Sequence, residues 1–142
     1  SCVLVPEPQC VLMAKEDPRA ALPSLSFAQL QSASMMSGLD DSSEDRILKT
    51  LCRRYGVTLD RVYRSDGIET IMRLVRGGRG IALGPSSFAE FYQVAAVPLA
   101  PRTVASLRFI CLESRIHRRE LRGFRDYLLG LTRREVPADA DA

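Results

Sequence analysis

The clearest hydrophobic pattern in the chain is a single apolar face at helical spacing between residues 44 and 56. It is formed by Ile47, Leu48, Leu51, Cys52 and Tyr55. Asp41, followed three residues later by Glu44, predicts a helix start of the capping-box type. Gly56 follows the last apolar position and predicts the C-cap. The segment is therefore predicted to be an amphipathic helix with one buried side.

Two further stretches repeat apolar residues with the same period. The first has its predicted buried face at Ile68, Ile71, Met72 and Val75. Ser65 and Asp66 are its predicted cap. The second has them at Leu121, Phe124, Leu128 and Leu131, and Ser114 is its predicted cap. Short helical turns are also predicted at residues 24–30 and after Ser86.

Short apolar runs between these helices predict strands. They cover residues 9–14, 33–37, 60–64, 81–83, 94–99 and 104–112. Val62 is expected to point inward. Strands that alternate with helices predict an α/β fold with a mixed, mostly parallel sheet. Ligands of such folds bind beyond the carboxyl ends of the strands, near helix N-termini. Here those places are Ser37 with Gly38, the segment 65–67, and Ser86.

The glycines from Gly78 to Gly84 have a spacing that invites comparison with a dinucleotide-binding loop. They follow a helix and precede a strand, whereas that loop requires a strand, then the glycines, then a helix. Gly78 and Gly80 are therefore predicted to end a helix and form a tight turn into the next strand.

Composition narrows the class of protein without naming a function. The chain has 142 residues, of which 46% are hydrophobic and 26% charged, as in an ordinary soluble domain. No run approaches the roughly 18 apolar residues of a membrane span, and the start shows no signal-peptide pattern. A cytoplasmic protein with no membrane association is expected. The arginines near the end of the chain are expected to form a solvated or subunit-facing helix face rather than a nucleic-acid contact.

Neither a metal, a cofactor nor catalysis is predicted. The four cysteines are far apart without a C-x-x-C pair, and His117 is the single histidine, so free buried thiols are expected. A Cys2–Cys10 pair is the alternative. Ser86 and Ser87 lack a G-x-S-x-G frame, and no spacing joins a nucleophile, a base and an oxyanion stabiliser. The chain is therefore not expected to be an enzyme.

The order of these motifs resembles the C-terminal part of the effector-binding domain of LysR-type transcriptional regulators. The resemblance begins at Val-Leu-Met-Ala-Lys-Glu-Asp-Pro-Arg-Ala (11–20) and continues through the helix ending Arg-Tyr-Gly-Val (54–57). Its most specific part is Ile-Met-Arg-Leu-Val-Arg-Gly-Gly-Arg-Gly-Ile-Ala-Leu-Gly-Pro (71–85). The final helix, 118–131, occupies the family's closing position.

The resemblance implies a two-lobed, periplasmic-binding-protein-like fold with a Rossmannoid lobe plus part of a second lobe. Residues 1–17 would be strands of the incomplete first lobe, and 18–99 the second lobe. Residues 100–135 would be a crossing strand and a helix that return to the first lobe, and 136–142 a disordered tail. The family's winged helix-turn-helix, linker helix and first half-lobe are not recognised here, so a fragment or truncation is expected.

By position, the second lobe's part of the effector site is expected at Ser34, Ser37, Gly38, Arg64, Ser65, Asp66, Gly67 and Ser86. The family's effectors are small acids and aromatic compounds that bind between the lobes. The carboxylate of Asp66 would repel an anionic effector unless Arg64 offsets its charge.

The resemblance also implies partners. Self-association as a dimer or tetramer is expected, with DNA bound only through the absent winged helix-turn-helix. Two alternatives stay open: a solute-binding protein of a transport system, which shares the architecture, and a fragment that serves only in assembly.

Overall fold

A computed structural model describes residues 1–115 and 117–135 of the chain. They fall into two compact units: Pro8–Thr103, and Ser1–Glu7 together with the residues from Val104 onwards. The predicted tail, 136–142, lies outside the described residues. No described helix is both long and apolar enough to cross a membrane.

The elements follow in the order expected of an α/β chain. The strands are β1 (Cys2–Met13), β2 (Leu25–Ser26), β3 (Ser34–Ser37), β4 (Asp60–Arg64), β5 (Ala82–Pro85), β6 (Ala95–Ala100) and β7 (Val104–Phe109). The α-helices are α1 (Ser43–Tyr55), α2 (Ile68–Arg76), α3 (Phe88–Tyr92) and α4 (Arg119–Glu135). Short 3-10 helices lie at Pro18–Ala21, Phe27–Leu30 and Glu113–Arg115.

The sheet is mixed. Its strand order is β2-β6-β1-β5, and β7 also pairs with β1. β1 is antiparallel to both β5 and β6, whereas β2 runs parallel to β6 and β3 parallel to β4. Met35 forms a parallel bridge to Ile81 and so brings the β3–β4 pair beside β5. Antiparallel pairing is more extensive than the sequence indicated, because the long central strand β1 runs against both of its neighbours.

The core of the Pro8–Thr103 unit has two parts that lie on opposite faces of the sheet. Val11 and Met13 of β1 pack in one part, with α1. Cys10 and Leu12 pack in the other, with α2. Successive strand residues point to opposite faces, so a strand covered on both sides is apolar throughout. This explains the uninterrupted run in β1.

Helix α1 confirms the predicted amphipathic helix and its C-cap. Gly56 has φ 63°, a left-handed conformation that favours glycine. The predicted start was wrong: the N-cap is Ser42, whose hydroxyl accepts a hydrogen bond from the Asp45 N–H at 3.1 Å. Asp41 has φ 66° and lies in the preceding turn, so its side chain does not cap the helix.

The glycine turn is also confirmed. Helix α2 ends at Arg76, Gly78 has φ 70°, and β5 follows. A Cβ at Gly80 would lie 2.6 Å from the Ser34 carbonyl oxygen. The turn therefore requires a small residue because it passes directly against β3.

Four other local predictions were wrong. Ser65 and Asp66 do not cap α2, because its N-cap is Gly67. Val62 is 47% exposed, because the register of β4 shifts at this residue: Arg61 pairs with Met35 and Tyr63 with Met36, so Val62 is the extra residue of a β-bulge. Ile68 is 38% exposed at the start of α2, not buried. Ser114 lies in a 3-10 helix, and α4 begins only at Arg119.

The cysteines are free, as predicted, but the predicted burial holds only for Cys10. Cys10 is buried, and Cys2, Cys52 and Cys111 are half-buried. Burial raises the pKa of the Cys10 thiol, which keeps it protonated at neutral pH and unreactive.

Candidate functional site

A cavity of about 540 Å³ opens in the Pro8–Thr103 unit at the carboxyl ends of β3 and β4. Ser37 ends β3, and Ser65 follows directly after β4. The two strands are parallel, so their carboxyl ends meet at one edge. A volume of this size falls within the range of small-molecule sites, roughly 300–1,000 Å³.

Buried apolar side chains form the floor of the cavity. They come from β3, α1, α2 and β5 and are Met35, Met36, Leu48, Ile71, Met72 and Ala82. Leu39, Ile68 and Phe88 add partly exposed apolar walls. Ile68 thus lies on the expected side of α2, but it faces the cavity rather than the core. The floor suits the apolar body of a small molecule.

Polar residues of the cavity come from the 37–44 segment and from the β4–α2 turn. They are Ser37, Gly38, Asp40, Asp41, Ser42, Glu44, Ser65 and Asp66. This set contains four carboxylates, and none of the residues around the cavity is Lys, Arg or His. A Cβ at Gly38 would lie 2.6 Å from the Ser42 hydroxyl oxygen and 3.5 Å from Glu44 Oε2. The loop therefore passes close to the α1 N-terminus.

A buried carboxylate, Asp45, anchors this loop. Its side chain is fully buried, and its Oδ2 lies 2.7 Å from Lys49 Nζ and 2.9 Å from the donating Asp41 backbone N–H. Its Oδ1 lies 2.7 Å from Arg61 Nη2, an ion pair without the alignment of a hydrogen bond. The hydrogen bond from Lys49, with that from Asp41, lowers the pKa of Asp45 to about 2. Asp45 is therefore ionised at neutral pH.

The two arginines of β4 are engaged with the same loop. Arg61 Nη2 donates to the Ser37 hydroxyl oxygen at 3.0 Å besides its contact with Asp45. Arg64 Nη1 donates to both carboxylate oxygens of Asp40, at 2.9 and 2.8 Å. These contacts hold the 37–44 segment against β4. Arg64 is thus paired with Asp40, and it does not offset Asp66.

The structure brings together four of the eight residues expected at the effector site. Ser37, Gly38, Ser65 and Asp66 surround one cavity. Their role in binding stays a prediction, but the strand-end argument that selected them matches where the cavity lies.

The other four do not contact the cavity, Arg64 among them. Ser34 begins β3 at the opposite edge and lies beside a smaller pocket with Gly80. Gly67 caps α2, and its N–H donates to the Ser65 hydroxyl at 3.0 Å. Ser86 follows β5, and its N–H donates to the Pro8 carbonyl at 3.3 Å.

Sequence reasoning missed the acidic loop and its anchor. The sequence pattern does not indicate a role for the acidic residues of the 38–43 segment or for Asp45. Asp45 precedes Leu48 by three residues and Lys49 by four, so helical spacing places it on the buried face with a basic partner one turn later. That spacing was a usable signal. Within the described residues, no group of three or more His, Cys, Asp or Glu side chains is placed to hold a metal ion.

Comparison with known proteins gives a consistent result. The sequence model of the LysR substrate binding domain matches residues 2–133. No curated protein matches the chain by sequence search. Among solved structures, the Synechocystis PCC6803 CcmR regulatory domain in complex with 2-PG is similar, with a TM-score of 0.72, 17% identity, 92% of this chain covered and 65% of that chain.

Two further solved structures are similar to this chain. The effector binding domain of QuiR in complex with shikimate has a TM-score of 0.71 and 17% identity, over 95% of this chain and 66% of that one. HinK, a LysR family transcriptional regulator from Pseudomonas aeruginosa, has a TM-score of 0.70 and 20% identity, over 93% of this chain and 47% of that one. The chain thus spans two thirds or less of these proteins. The likenesses confirm the periplasmic-binding-protein-like α/β fold.

Proposed function

Because the chain belongs to the LysR substrate binding domain family, a family of transcriptional regulators, we propose that its Pro8–Thr103 unit binds a small-molecule effector. The observation that carries the proposal is the cavity of about 540 Å³ at the carboxyl ends of β3 and β4, the edge where α/β folds bind ligands. The CcmR regulatory domain in complex with 2-PG and the QuiR domain in complex with shikimate support this role.

The proposed consequence of binding is a change in DNA binding by a winged helix-turn-helix outside these 142 residues. A ligand shifts a conformational equilibrium only by its difference in affinity for the two states. The effector would therefore act by binding one arrangement of a self-associated dimer or tetramer more tightly than another. The chain itself is proposed to sense and assemble in the cytoplasm, without a catalytic step.

The surroundings of the cavity bear on the two effector classes that the resemblance implies. Met35, Met72 and Phe88 offer sulfur and aromatic contacts, which favour an aromatic ligand. A small acid would meet four carboxylates and no Lys, Arg or His side chain around the cavity. The cavity therefore supports the aromatic class over the acidic one.

A thermal-shift screen of small aromatic compounds, acids and amines tests the proposal. A ligand at a hundredfold excess over its Kd stabilises a protein by about 2.7 kcal/mol, so the unfolding midpoint should rise by about 5–10 °C. Ile68→Trp places a large side chain in the cavity and should abolish the shift.

Val62→Trp is the matched control, because Val62 is also exposed and apolar but does not contact the cavity. It should keep the full ligand-induced shift. The proposal fails if every ligand found stabilises the Ile68→Trp protein as much as the unaltered one.

A further inference from the structure

We infer that the cavity selects a small molecule with a positively charged amine on an apolar body. The inference rests on the proposed function, because it concerns the ligand of the same cavity. It departs from the small acids that the resemblance implies, and it is carried by the arrangement of charge around the apolar floor.

The carboxylates around the cavity are mostly unneutralised. Asp41, Glu44 and Asp66 form no ion pair with the described basic residues. Asp40 is the exception, because Arg64 holds it at 2.8 Å. Three carboxylates around one cavity therefore have no basic partner among the described residues.

The basic groups near the cavity already form ion pairs within the protein. The Lys49 ammonium and the Arg61 guanidinium both contact Asp45, each at 2.7 Å. The pKa of Lys49 is raised, chiefly by its hydrogen bond to Asp45. An anionic ligand would have to displace Asp45 or Asp40 from these groups. Removing the partners of Asp45 is strongly unfavourable because its carboxylate is fully buried and would be left uncompensated. The Arg64–Asp40 pair is exposed, so displacing Asp40 would cost less.

A metal ion is a poor match for these carboxylates. Among residues 1–115 and 117–135, no three acidic, histidine or cysteine side chains converge closely enough to coordinate one. An organic cation needs no such convergence, because an ammonium interacts with carboxylates separately and at longer range. The buried Met35, Met36 and Met72 beneath the carboxylates supply the apolar contact that a bare metal ion cannot use.

Hydrogen-bonding groups at the cavity complete the match. The Ser65 hydroxyl oxygen accepts from the Gly67 N–H and has a second lone pair available for an ammonium donor. The ionised carboxylates of Glu44 and Asp66 can accept hydrogen bonds but cannot donate them. A protonated amine supplies three donors and no acceptor, so it complements these groups.

Isothermal titration of the full chain with three probes of similar shape tests the inference. The probes are 2-phenylethylamine, 2-phenylethanol and 3-phenylpropionate, which share a ring and differ in charge. Each exposed ion pair changes affinity by about two- to fivefold, so the amine is expected to bind about tenfold more tightly than the acid, with the alcohol between them.

The double variant Glu44→Gln with Asp66→Asn should bring the amine and acid affinities close together. The control is Glu16→Gln with Asp60→Asn, which removes the same charge from exposed positions away from the cavity and should preserve the preference. Added salt gives a second measurement that needs no variant. Screening should weaken the amine's binding and strengthen the acid's.

The outcomes separate the two claims. If the acid binds as tightly as the amine, the inference about charge is overturned while the proposed function stands. If none of the probes binds at millimolar concentration, the result counts against both. A preference for the amine that survives Glu44→Gln with Asp66→Asn also overturns the inference.

Discussion

The two units of the chain differ sharply in what they bury. Every described residue that is fully buried lies within the Pro8–Thr103 unit. The other unit, formed by Ser1–Glu7 and the residues from Val104, contains none among its described residues. Instead it exposes large apolar side chains, notably Leu107, Ile110, Phe124 and Tyr127. One unit thus has a closed core, and the other has the apolar surface of a core that these residues do not complete.

This difference teaches which part of the chain can be interpreted by itself. The chain spans 65% of the CcmR regulatory domain and 66% of the QuiR effector binding domain, so part of the relatives' fold has no counterpart here. In the unit formed by Ser1–Glu7 and the residues from Val104, Phe109 of β7 packs against Phe124 of α4. Their ring centroids are 6.2 Å apart, and both side chains remain partly exposed. Only the Pro8–Thr103 unit can therefore be interpreted by itself.

The largest expected effect comes from matched leucine truncations in the two units. Leu12 is fully buried in β1, whereas Leu107 of β7 is 53% exposed. Leu12→Ala should lower the free energy of unfolding by about 2–5 kcal/mol because it leaves a cavity. Leu107→Ala should cost below about 1 kcal/mol. Urea denaturation measures both, and equal losses would contradict the comparison.

Glycine-to-alanine substitutions should have opposite signs in the two units. A Cβ at Gly80 would lie 2.6 Å from the Ser34 carbonyl oxygen and 2.9 Å from Met36 Cε, so Gly80→Ala should destabilise by about 1–3 kcal/mol. A Cβ at Gly123, inside α4, meets nothing within 4 Å. Gly123→Ala should therefore stabilise by about 0.5–1 kcal/mol. Thermal unfolding measures both, and a loss of stability on Gly123→Ala would show that α4 is packed there.

A smaller effect is expected from pH, and it should arise in the Pro8–Thr103 unit. The hydrogen bond from Lys49 and the Arg61 charge help to lower the pKa of Asp45 from 3.8 to about 2. Its contribution to stability is therefore present above pH 3.8 and lost as the pH falls from about 4 through 2. The unaltered protein should lose stability in this range more steeply than Asp45→Asn.

Urea midpoints between pH 6 and pH 2 measure this difference. Asp60→Asn is the control, because Asp60 is exposed and has no ion pair with a described residue. It should follow the pH dependence of the unaltered protein. Identical curves for Asp45→Asn and the unaltered protein would show that Asp45 does not carry the effect.

The fold was largely predictable because its strongest signals are local. The face of α1 and the Gly56 C-cap follow from spacing within one helix. The uninterrupted apolar run in β1 follows from the burial of both faces of the strand. The inward position predicted for Val62 was wrong because β4 has a β-bulge there. Local alternation does not reveal a bulge, since the bulge depends on how the strand pairs with its neighbour.

The sequence predicted the location of the candidate site about as well as it predicted the fold. Ser37 and Ser65 follow from where parallel strands end. The charge of the cavity was not predictable, because it depends on which carboxylates find basic partners. Arg64 pairs with Asp40, a residue 24 positions earlier, and not with neighbouring Asp66. Such pairing is decided by the register of β3 and β4, which the sequence pattern leaves open.

The central claim is that the Pro8–Thr103 unit binds a small molecule in its cavity. Hydrogen–deuterium exchange of the full chain, with and without the strongest ligand from the thermal-shift screen, tests it most directly. The account predicts increased protection at residues 35–44 and 65–72, and little change in β7 and α4. Protection confined to residues 104–132, with none at the cavity, would contradict it.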